Sequence, residues 1–273
     1  MEIRKQKERN HYNKRAGYIL KENYAHFNWN EGSKNFGIVA RSHFKFTEEK
    51  IRQVVRQKGK NNVTILDYGC GTGVHSIFLA KQGARVYGID ISKNAITIAK
   101  EWAKRKHVKA QTVFQLMDGE KLLFPENFFD IVFNCDTLSC VDRKKVFPEI
   151  VRVLKPHGYF ISVDTLGHNP ILNLRRRIRL MRGDRTLQTF NNILTTNDIK
   201  TMLQYFDKAD VRFFHLFTIA GILLEKLFGF ISIGRFLEKI DKRVLAFPFF
   251  QKYAFKVVFI LSSSKKGHDK KNI

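Results

Sequence analysis

Short apolar runs alternate with longer amphipathic segments along the middle of the chain. The apolar runs have the length and the β-branched and aromatic content of buried strands, whereas the amphipathic segments space their apolar positions as helices do. Strands and helices that alternate through short connections form a parallel sheet covered on both faces, so we expect a doubly wound α/β fold. The pattern predicts strands over 63–69, 85–90, 110–118, 128–136 and 159–165, and helices over 74–83, 92–106 and 143–158.

After residue 166 this alternation changes. A helix is predicted over 195–206, and two apolar runs over 209–219 and 253–263 would pair as antiparallel strands. These two strands bring the predicted sheet to seven strands, most of them parallel. The residues between them, 220–252, place apolar side chains at intervals of three and four with basic residues in between, which predicts one or two amphipathic helices.

Four parts of the chain differ in composition, and we interpret them as separate structural units. The polar and basic N-terminal part contains one predicted helix over 47–59, for which Thr47 would be the N-cap. The parts are an N-terminal helical and basic segment (1–60), a core (61–219 with 253–263), an amphipathic helical insertion (220–252) and a disordered basic tail (264–273).

A glycine-rich turn follows the first predicted strand, within the stretch 63–90. A dinucleotide-binding turn has three glycines in the order G-x-G-x-x-G, but here the third of those positions is Val74. A phosphate-binding P-loop would continue with Gly-Lys-Ser or Gly-Lys-Thr, which is absent. The turn formed by Gly69, Gly71 and Gly73 therefore suits a ligand other than a pyrophosphate or a triphosphate.

Two carboxylates flank this turn at the ends of the first and second predicted strands. Asp67 precedes the first glycine, where its charge would repel a pyrophosphate and attract an ammonium group. Asp90 ends the second strand, where an acidic side chain can accept hydrogen bonds from both hydroxyls of a ribose. S-adenosylmethionine carries an amino acid ammonium and a ribose, so we expect it to be the cofactor.

Four motifs, in order and spacing, resemble the class I S-adenosylmethionine-dependent methyltransferases. The resemblance is closest to the small-molecule branch that includes quinone-biosynthesis methyltransferases, and it covers about residues 60–165. It implies a Rossmann-like methyltransferase fold with a helical insertion between the last two strands. The motifs are LDYGCGTG, GIDIS, LMDGEKLLFPENFFDIVFNCDTLSCV and EIVRVLKPHGYFIS.

The resemblance implies a role in cofactor binding for each matching position. Asp67 would face the ammonium, Asp90 would bind the ribose, and Asp118 would accept the adenine amino group; strand-end capping is the alternative for the first two. Cys70 and Cys135 are interpreted as packing residues rather than nucleophiles. The remaining implied contacts are the backbone of Gly69, Cys70, Gly71 and Gly73 at the methionine, Ile91, Met117 and Gly119 at the adenine, and the backbone around Asn134 over the methionine.

Composition limits the class of protein and of partner. The chain has 49 Lys and Arg against 25 Asp and Glu, a net charge of +24, which indicates either an anionic partner or a basic solvated surface. The three cysteines form no CxxC pair, so neither structural zinc nor a disulfide framework is expected. The chain shows neither a signal-peptide pattern nor an apolar stretch of about 20 residues. We expect a cytoplasmic protein, with attachment to the inner face of the membrane left open.

The loops after the fourth and fifth strands bear on the methyl acceptor. Enzymes that methylate amino groups of nucleic acids carry an Asn/Asp-Pro-Pro-aromatic motif after the fourth strand, but this chain has NCDTLS there, without the Pro-Cys of cytosine-carbon enzymes. A small-molecule or lipid-like acceptor is therefore favoured. His168, just past the fifth strand, is the first candidate for a catalytic base, with a loop-ordering role as the alternative, and Asp136 and Asp164 are secondary candidates.

The part of the chain after residue 166 contains a basic strip in 171–186 and an apolar and aromatic region in 220–252. Together they fit attachment to an anionic membrane surface, a lid over an apolar or phosphate-linked substrate, or an ordinary helical cap. We therefore favour an S-adenosylmethionine-dependent methyltransferase that methylates oxygen on a small-molecule or lipid-like acceptor. The alternatives are an RNA methyltransferase and a protein of this fold that binds the cofactor without methyl transfer. The strip consists of Arg175, Arg176, Arg177, Arg179 and Arg182.

Overall fold

Seven strands form one sheet in the computed structural model, which describes residues 2–21, 41–183, 185–219, 221 and 231–262. The strand order is β3-β2-β1-β4-β5-β7-β6. Only β7 runs antiparallel to its neighbours, β5 and β6, whereas the remaining pairs are parallel. The predicted fold class is confirmed. The strands are β1 (Thr64–Tyr68), β2 (Arg85–Asp90), β3 (Thr112–Leu116), β4 (Phe129–Cys135), β5 (Leu154–Thr165), β6 (Lys208–Phe214) and β7 (Lys256–Ser262).

Helices cover both faces of the sheet and continue beyond its edges. Predicted helices between the parallel strands all appear, although their ends shift by a few residues. The helices within the described residues are α1 (Glu2–Lys21), α2 (Arg41–Lys58), α3 (Val74–Lys81), α4 (Lys93–Arg105), α5 (Arg143–Val153), α6 (Pro170–Met181), α7 (Leu187–Asn191), α8 (Thr196–Leu203), α9 (Ile231–Val244) and α10 (Pro248–Gln251), with a short 3-10 turn at Lys109–Gln111.

Two local predictions were wrong. Thr47 is not an N-cap, because α2 already begins at Arg41 and the Thr47 hydroxyl donates to the Phe44 carbonyl within the helix at 2.7 Å. The predicted helix over 143–158 ends at Val153, and β5 begins five residues earlier than expected. Leu154 is already extended, with φ of −74° and ψ of 137°, and Pro156 disfavours helix at Lys155 before it, although α5 accommodates Pro148 in its interior.

The predicted insertion is described only in part. Residues 222–230 lie outside the described residues, whereas α9 and α10 occupy the following part of 220–252. The predicted tail 264–273 also lies outside them. None of the described helices is long and apolar enough to cross a membrane.

Alternate residues of the central strands bury their side chains on opposite faces of the sheet. Val132, Phe160 and Phe259 belong to one apolar cluster, which includes side chains of α5 and α8. Ile131 and Ile161 belong to a second cluster on the other face, with side chains of α2, α3 and α4. Because the central strands are buried on both faces, a ligand has to bind at their ends, and in parallel α/β sheets it binds at the carboxyl ends.

The N-terminal helix α1 packs against α4 beside the carboxyl edge of the sheet. Ala16 forms a small apolar cluster with Ala95 and Ile98 of α4. Asn13 accepts a hydrogen bond from the Ser92 hydroxyl at 2.6 Å, and Ser92 is also the N-cap of α4. These contacts place α1 across the end of the strands, where it covers a cavity.

Candidate cofactor site

A cavity of about 350 Å³ opens at the carboxyl ends of β1, β2 and β4. Parallel α/β sheets bind ligands at this edge, near the point where the strand order reverses. The strand order reverses between β1 and β4, which are neighbours although they are not consecutive. The wall is formed by one face of α1, the glycine turn with the start of α3, the tip of β2, the segment 117–120 and residues that follow β4.

The glycine turn forms the floor of the cavity with backbone atoms. Gly69 and Gly71 line the cavity with φ of +70° and +52°, a region that side chains disfavour. A Cβ on Gly69 would overlap the Thr137 side chain, whereas one on Gly71 would project into open space. Glycine at these positions therefore keeps the turn close to β4 and leaves its ligand-facing surface bare.

Asp90 lies on the cavity wall at the end of β2. One carboxylate oxygen accepts from the Gly71 N–H at 2.9 Å and the other accepts from the Ser92 N–H at 2.8 Å. Burial raises the pKa of Asp90 above its ordinary value despite these hydrogen bonds. Each carboxylate oxygen has a further acceptor site, so Asp90 can still bind hydroxyl groups.

The segment 117–120 borders the cavity next to Asp90. Asp118 accepts from the Glu120 N–H at 2.9 Å, and its second oxygen accepts from the Lys5 ammonium. A Cβ on Gly119 would overlap the Tyr68 hydroxyl, which is buried at the cavity and has no hydrogen-bond partner among the described residues. Burial raises the pKa of Tyr68 well above its ordinary value, so this hydroxyl stays protonated and able to donate.

Helix α1 supplies a wall that the sequence analysis did not anticipate. Arg4 and Lys5 form ion pairs with Glu120, the second with Nζ–Oε2 at 3.1 Å. The Tyr12 hydroxyl lies 3.1 Å from the Cys140 sulfur. The helical spacing of these residues could have indicated a helix, but not the cavity that it covers. The cavity-lining residues of α1 are Arg4, Lys5, Glu8, Tyr12, Arg15 and Ala16.

The opposite end of the cavity contains a second group of titratable side chains. Asp136 follows β4 in a left-handed conformation with φ of +58°, and its carboxylate accepts from Thr165 at 2.7 Å and from the Lys256 ammonium. Burial raises the pKa of Asp136, but the Lys256 charge outweighs this effect and lowers it below the ordinary value. Burial lowers the pKa of His75 to about 4, so this cavity-lining imidazole is neutral at pH 7.

The chain is similar in sequence to known methyltransferases. Residues 66–162 match the family described as "Methyltransferase domain". The demethylmenaquinone methyltransferase of Geobacillus sp. is 29% identical over 157 residues, which cover 55% of this chain and 63% of that enzyme. The malonyl-[acyl-carrier protein] O-methyltransferase of Buchnera aphidicola is 29% identical over 202 residues, which cover 73% of this chain and 74% of that enzyme. The chain carries an S-adenosylmethionine-dependent methyltransferase domain.

A solved structure shares the fold of this domain. Phosphoethanolamine N-methyltransferase 2 of Haemonchus contortus, in complex with S-adenosyl-L-methionine, matches with a TM-score of 0.55 and 20% identity over 79% of this chain and 52% of that one. The chain therefore spans about half of the Haemonchus enzyme and less than two thirds of the Geobacillus enzyme. The predicted family and cofactor are confirmed.

The groups that line the cavity suit the separate parts of S-adenosylmethionine. Bare backbone at Gly71 leaves room for the methionine part, and the carboxylates of Asp90 and Asp118 suit the ribose hydroxyls and the adenine amino group. Ile91 and Met117 offer apolar surface to the adenine ring. Eight of the eleven predicted cofactor-binding residues line the cavity of the methyltransferase domain: Gly69, Cys70, Gly71, Asp90, Ile91, Met117, Asp118 and Gly119.

Three predicted cofactor-binding residues do not line the cavity. Asp67 is buried behind the glycine turn, where it accepts from the Ser76 hydroxyl at 2.5 Å, and burial raises its pKa to about 7. A Cβ on Gly73 would lie 2.8 Å from the Ala99 Cβ, so this glycine permits close packing of α4. Asn134 is buried and donates to the Ser162 hydroxyl at 2.6 Å, which ties β4 to β5. In this structure these residues support the site from behind its wall.

The candidate catalytic bases differ in whether they line the cavity. His168 does not line the cavity, and its Nε2 accepts from the Thr196 N–H at 3.2 Å at the start of α8, which is the loop-ordering arrangement. Asp164 is buried away from the cavity beside Asn134, and burial raises its pKa to about 7. Asp136 is the candidate that lines the cavity, together with His75, which the sequence analysis did not select.

Proposed function

We propose that this protein transfers the methyl group of S-adenosylmethionine to an oxygen atom of a small-molecule or lipid-like acceptor. The observation that carries the proposal is the continuity of the cavity. One cavity contains the acids suited to the nucleoside, Asp90 and Asp118, and the groups able to accept a proton, His75 and Asp136. Holding the donor and the acceptor in line within one cavity supplies much of the rate enhancement of a displacement reaction.

An oxygen acceptor requires a group that takes its proton. When bound, S-adenosylmethionine supplies an electrophilic methyl group on a sulfonium. A hydroxyl that attacks this methyl must lose its proton, and a neutral imidazole in the cavity can accept it. We assign this role to His75, with the nearby Asp136 carboxylate stabilising the imidazolium that forms.

Methyl transfer can be measured with cofactor labelled in its methyl group, added with protein to a lipid extract and separately to RNA. We expect label in the lipid fraction, bound to oxygen by mass spectrometry. His75→Gln should lower the rate at least about 10-fold, and His168→Gln, its matched control, should leave the rate within about two-fold. These values follow because only the first imidazole lines the cavity.

Each remaining outcome of this experiment contradicts part of the proposal. Label that enters only RNA would favour an RNA methyltransferase, the alternative that the +24 charge suggests. Binding of the cofactor without any transfer to lipid or RNA would favour a non-catalytic protein of this fold. A loss of activity confined to the His168 variant would instead identify His168 as the catalytic base, as predicted from the sequence.

We further propose that the protein attaches to an anionic membrane surface through α6. This helix turns an apolar stripe outward, with Ile171 78%, Leu174 62% and Met181 79% exposed. Exposed arginines interrupt the stripe, and the combination of apolar and basic side chains on one helix suits the interface of an anionic bilayer. Exposed phenylalanines after α6 add apolar surface: Phe217, Phe236, Phe247 and Phe249.

Cosedimentation with vesicles that contain phosphatidylglycerol tests this attachment. Leu174→Asp should reduce the bound fraction at least about five-fold, because it places a charge in the apolar stripe and weakens attraction to the lipid. Leu123→Asp is the matched control, since Leu123 is at least as exposed as Leu174 but lies on the loop before β4. Equal losses in both variants, or no binding by the native protein, would contradict the proposal.

A further inference from the structure

Helix α6 inverts the usual distribution of polar and apolar side chains. Its outward face carries the apolar stripe, whereas Arg176 on its inner face is only 5% exposed. A buried arginine costs stability unless a partner compensates its charge, and an apolar side chain would ordinarily occupy such a position. The inner face of α6 therefore carries a buried charge that needs an explanation.

The hydrogen bonds of Arg176 go to neutral groups. Its guanidinium donates to the Asn173 side chain at 2.6 Å and to the Leu166 carbonyl at 2.8 Å. Among the described residues, no carboxylate forms an ion pair with it. The Asp136 carboxylate acts on this charge only from beyond ion-pair distance.

The hydrogen bond of a second guanidinium, that of Arg185, also goes to a neutral group. Arg185 precedes α7 and donates to the Thr189 carbonyl at 3.2 Å, and its buried Nε has no hydrogen-bond partner among the described residues. It likewise forms no ion pair with a described carboxylate. Burial and the charge of Arg185 together lower the pKa of Arg176 to about 10, while the charge of Asp136 acts in the opposite direction. The two guanidiniums are therefore close enough to repel each other.

Both arginines contact residues that adjoin the cavity. Leu166, which accepts from Arg176, follows Thr165, and the Thr165 hydroxyl donates to the cavity-lining Asp136. Thr189, which accepts from Arg185, lies 4.0 Å from the sulfur of the cavity-lining Cys140. The two guanidiniums therefore stand behind the end of the cavity that is opposite to Asp90 and Asp118.

Two acidic side chains at this end of the cavity already have hydrogen-bond partners. Glu8 accepts from the Thr186 hydroxyl at 2.5 Å and lies 3.5 Å from the Thr189 hydroxyl. The other nearby acid, Asp136, is already paired with Lys256. Arg15 adds a further positive charge to the cavity wall near Tyr12. The acceptor end of the cavity is therefore electropositive on the side of α6 and α7.

We propose that Arg176 and Arg185 bind an anionic group, a phosphate or a carboxylate, carried by the methyl acceptor. This inference rests on the proposed function and narrows it to acidic, partly apolar acceptors. Guanidinium groups match the oxygen atoms of phosphate and carboxylate with paired hydrogen bonds. The anionic group would satisfy the Arg185 Nε–H and compensate the charges of one buried and one half-buried guanidinium. The apolar remainder of the acceptor would then lie toward His75.

Binding of a matched ligand set tests this site. Octyl phosphate, octanoate, octanol and inorganic phosphate are titrated by calorimetry into the full chain, with and without S-adenosylhomocysteine. We expect octyl phosphate to bind at least 10-fold more tightly than octanol, with inorganic phosphate as a competitor. Arg185→Gln and Arg176→Gln should each weaken octyl phosphate binding about 10-fold to 100-fold and leave octanol binding unchanged.

Arg177→Gln is the control, because Arg177 is on the same helix but exposed, and the substitution removes the same charge. Equal binding of octyl phosphate and octanol by the native protein would overturn the inference. Equal losses in Arg177→Gln and Arg185→Gln would do the same, since they would indicate diffuse attraction. If Arg176→Gln fails to fold, the Arg185→Gln result decides, because Arg185 is only half-buried.

Two further measurements distinguish this inference from the proposed methyl transfer and from the proposed membrane attachment. Failure of S-adenosylhomocysteine to bind would reject the proposed function, whereas the octyl phosphate titration without it still reports on the arginines. Vesicles containing phosphatidylglycerol distinguish a soluble ligand from a lipid headgroup. We expect Arg185→Gln to retain vesicle binding, and a loss there with unchanged octyl phosphate binding would place the arginines in the membrane contact instead.

Discussion

Replacing Asp90 with alanine should weaken S-adenosylmethionine binding at least about 100-fold, as measured by calorimetry. The carboxylate lines the cavity at the tip of β2, where it is positioned to accept from ribose hydroxyls. Charge-assisted hydrogen bonds contribute about 1.5–3 kcal/mol each, so losing two of them corresponds to 100-fold or more in affinity. The alanine variant would also release the Gly71 N–H that Asp90 holds at 2.9 Å.

A conservative substitution separates these two effects. Asp90→Asn keeps an oxygen that can accept from Gly71 but removes the negative charge, so we expect an intermediate loss of about 10-fold. Glu101→Ala is the control, because Glu101 is an exposed acid of α4 that pairs with Arg105 away from the cavity. Affinity within about three-fold of native in both Asp90 variants would remove the ribose role from this residue.

The sheet could be predicted from the sequence because its signals are local. The strands β1, β2 and β4 are runs of five to seven residues, each next to a helix whose polar face can be recognised within one segment. The start of β5 was missed because its signal is not local. Leu154 pairs with Phe129 across a register shift in β4, and that pairing leaves no trace in the local pattern.

The two strand-tip acids differ in a way that the sequence does not reveal. Both were predicted to contact the cofactor. Asp67 lies one residue inside β1, opposite Gly88 in β2, and turns toward Ser76 of α3. Asp90 is the last residue of β2 and faces the cavity. Because successive side chains of a strand alternate between faces, a shift of one position decides which acid meets the ligand.

Helix α1 could not be placed from the sequence, because its partners are distant along the chain. Lys5 pairs with Asp118, 113 positions later, and Tyr12 contacts Cys140 across 128 positions. A basic, weakly apolar helix of this kind is recognisable as a helix, but nothing in its own residues identifies the surface that it covers. The cavity thus combines a predictable floor, the glycine turn, with a wall that only the tertiary structure reveals.

The ion pairs of α1 have a consequence for the cofactor. Asp118, expected to accept the adenine amino group, already accepts from Lys5 and from the Glu120 N–H. The adenine amino group would therefore share this carboxylate with the helix that covers the cavity. Cofactor binding and the position of α1 would then depend on the same side chain, which would connect the fold of the N-terminal segment with the function of the site.

Asp130 lies near the amino end of β4, opposite to the carboxyl ends that form the cavity, and its loss should destabilise the fold most. It is buried at the start of β4 and accepts from the Lys58 ammonium at 2.6 Å, the Lys155 ammonium at 2.9 Å and the Thr64 N–H at 2.8 Å. These bonds join α2, β1 and β5 to one carboxylate. Removing it would leave a buried N–H without its partner and two ammonium groups without their counterion.

Asp130→Ala should therefore lower the free energy of unfolding by about 3 kcal/mol near pH 7, measured by urea denaturation. Asp210→Ala is the control, because Asp210 forms an exposed pair with Arg212 and its loss should cost under about 1 kcal/mol. Equal destabilisation by the two substitutions would show that the carboxylate at Asp130 contributes no more than a surface charge.

The effect of Asp130 should also depend on pH with a defined sign. Burial raises the pKa of Asp130, but the hydrogen bonds from Lys58, Thr64 and Lys155 outweigh it and bring the pKa to about 2. An unfolded aspartate has a pKa near 3.9, so the stabilisation is complete above about pH 4 and is lost as the pH falls toward 2. The difference between native protein and Asp130→Asn should accordingly shrink by about 2 kcal/mol between pH 5 and pH 2. A difference that stays constant over that range would mean that the carboxylate keeps its ordinary pKa and that packing alone explains the loss.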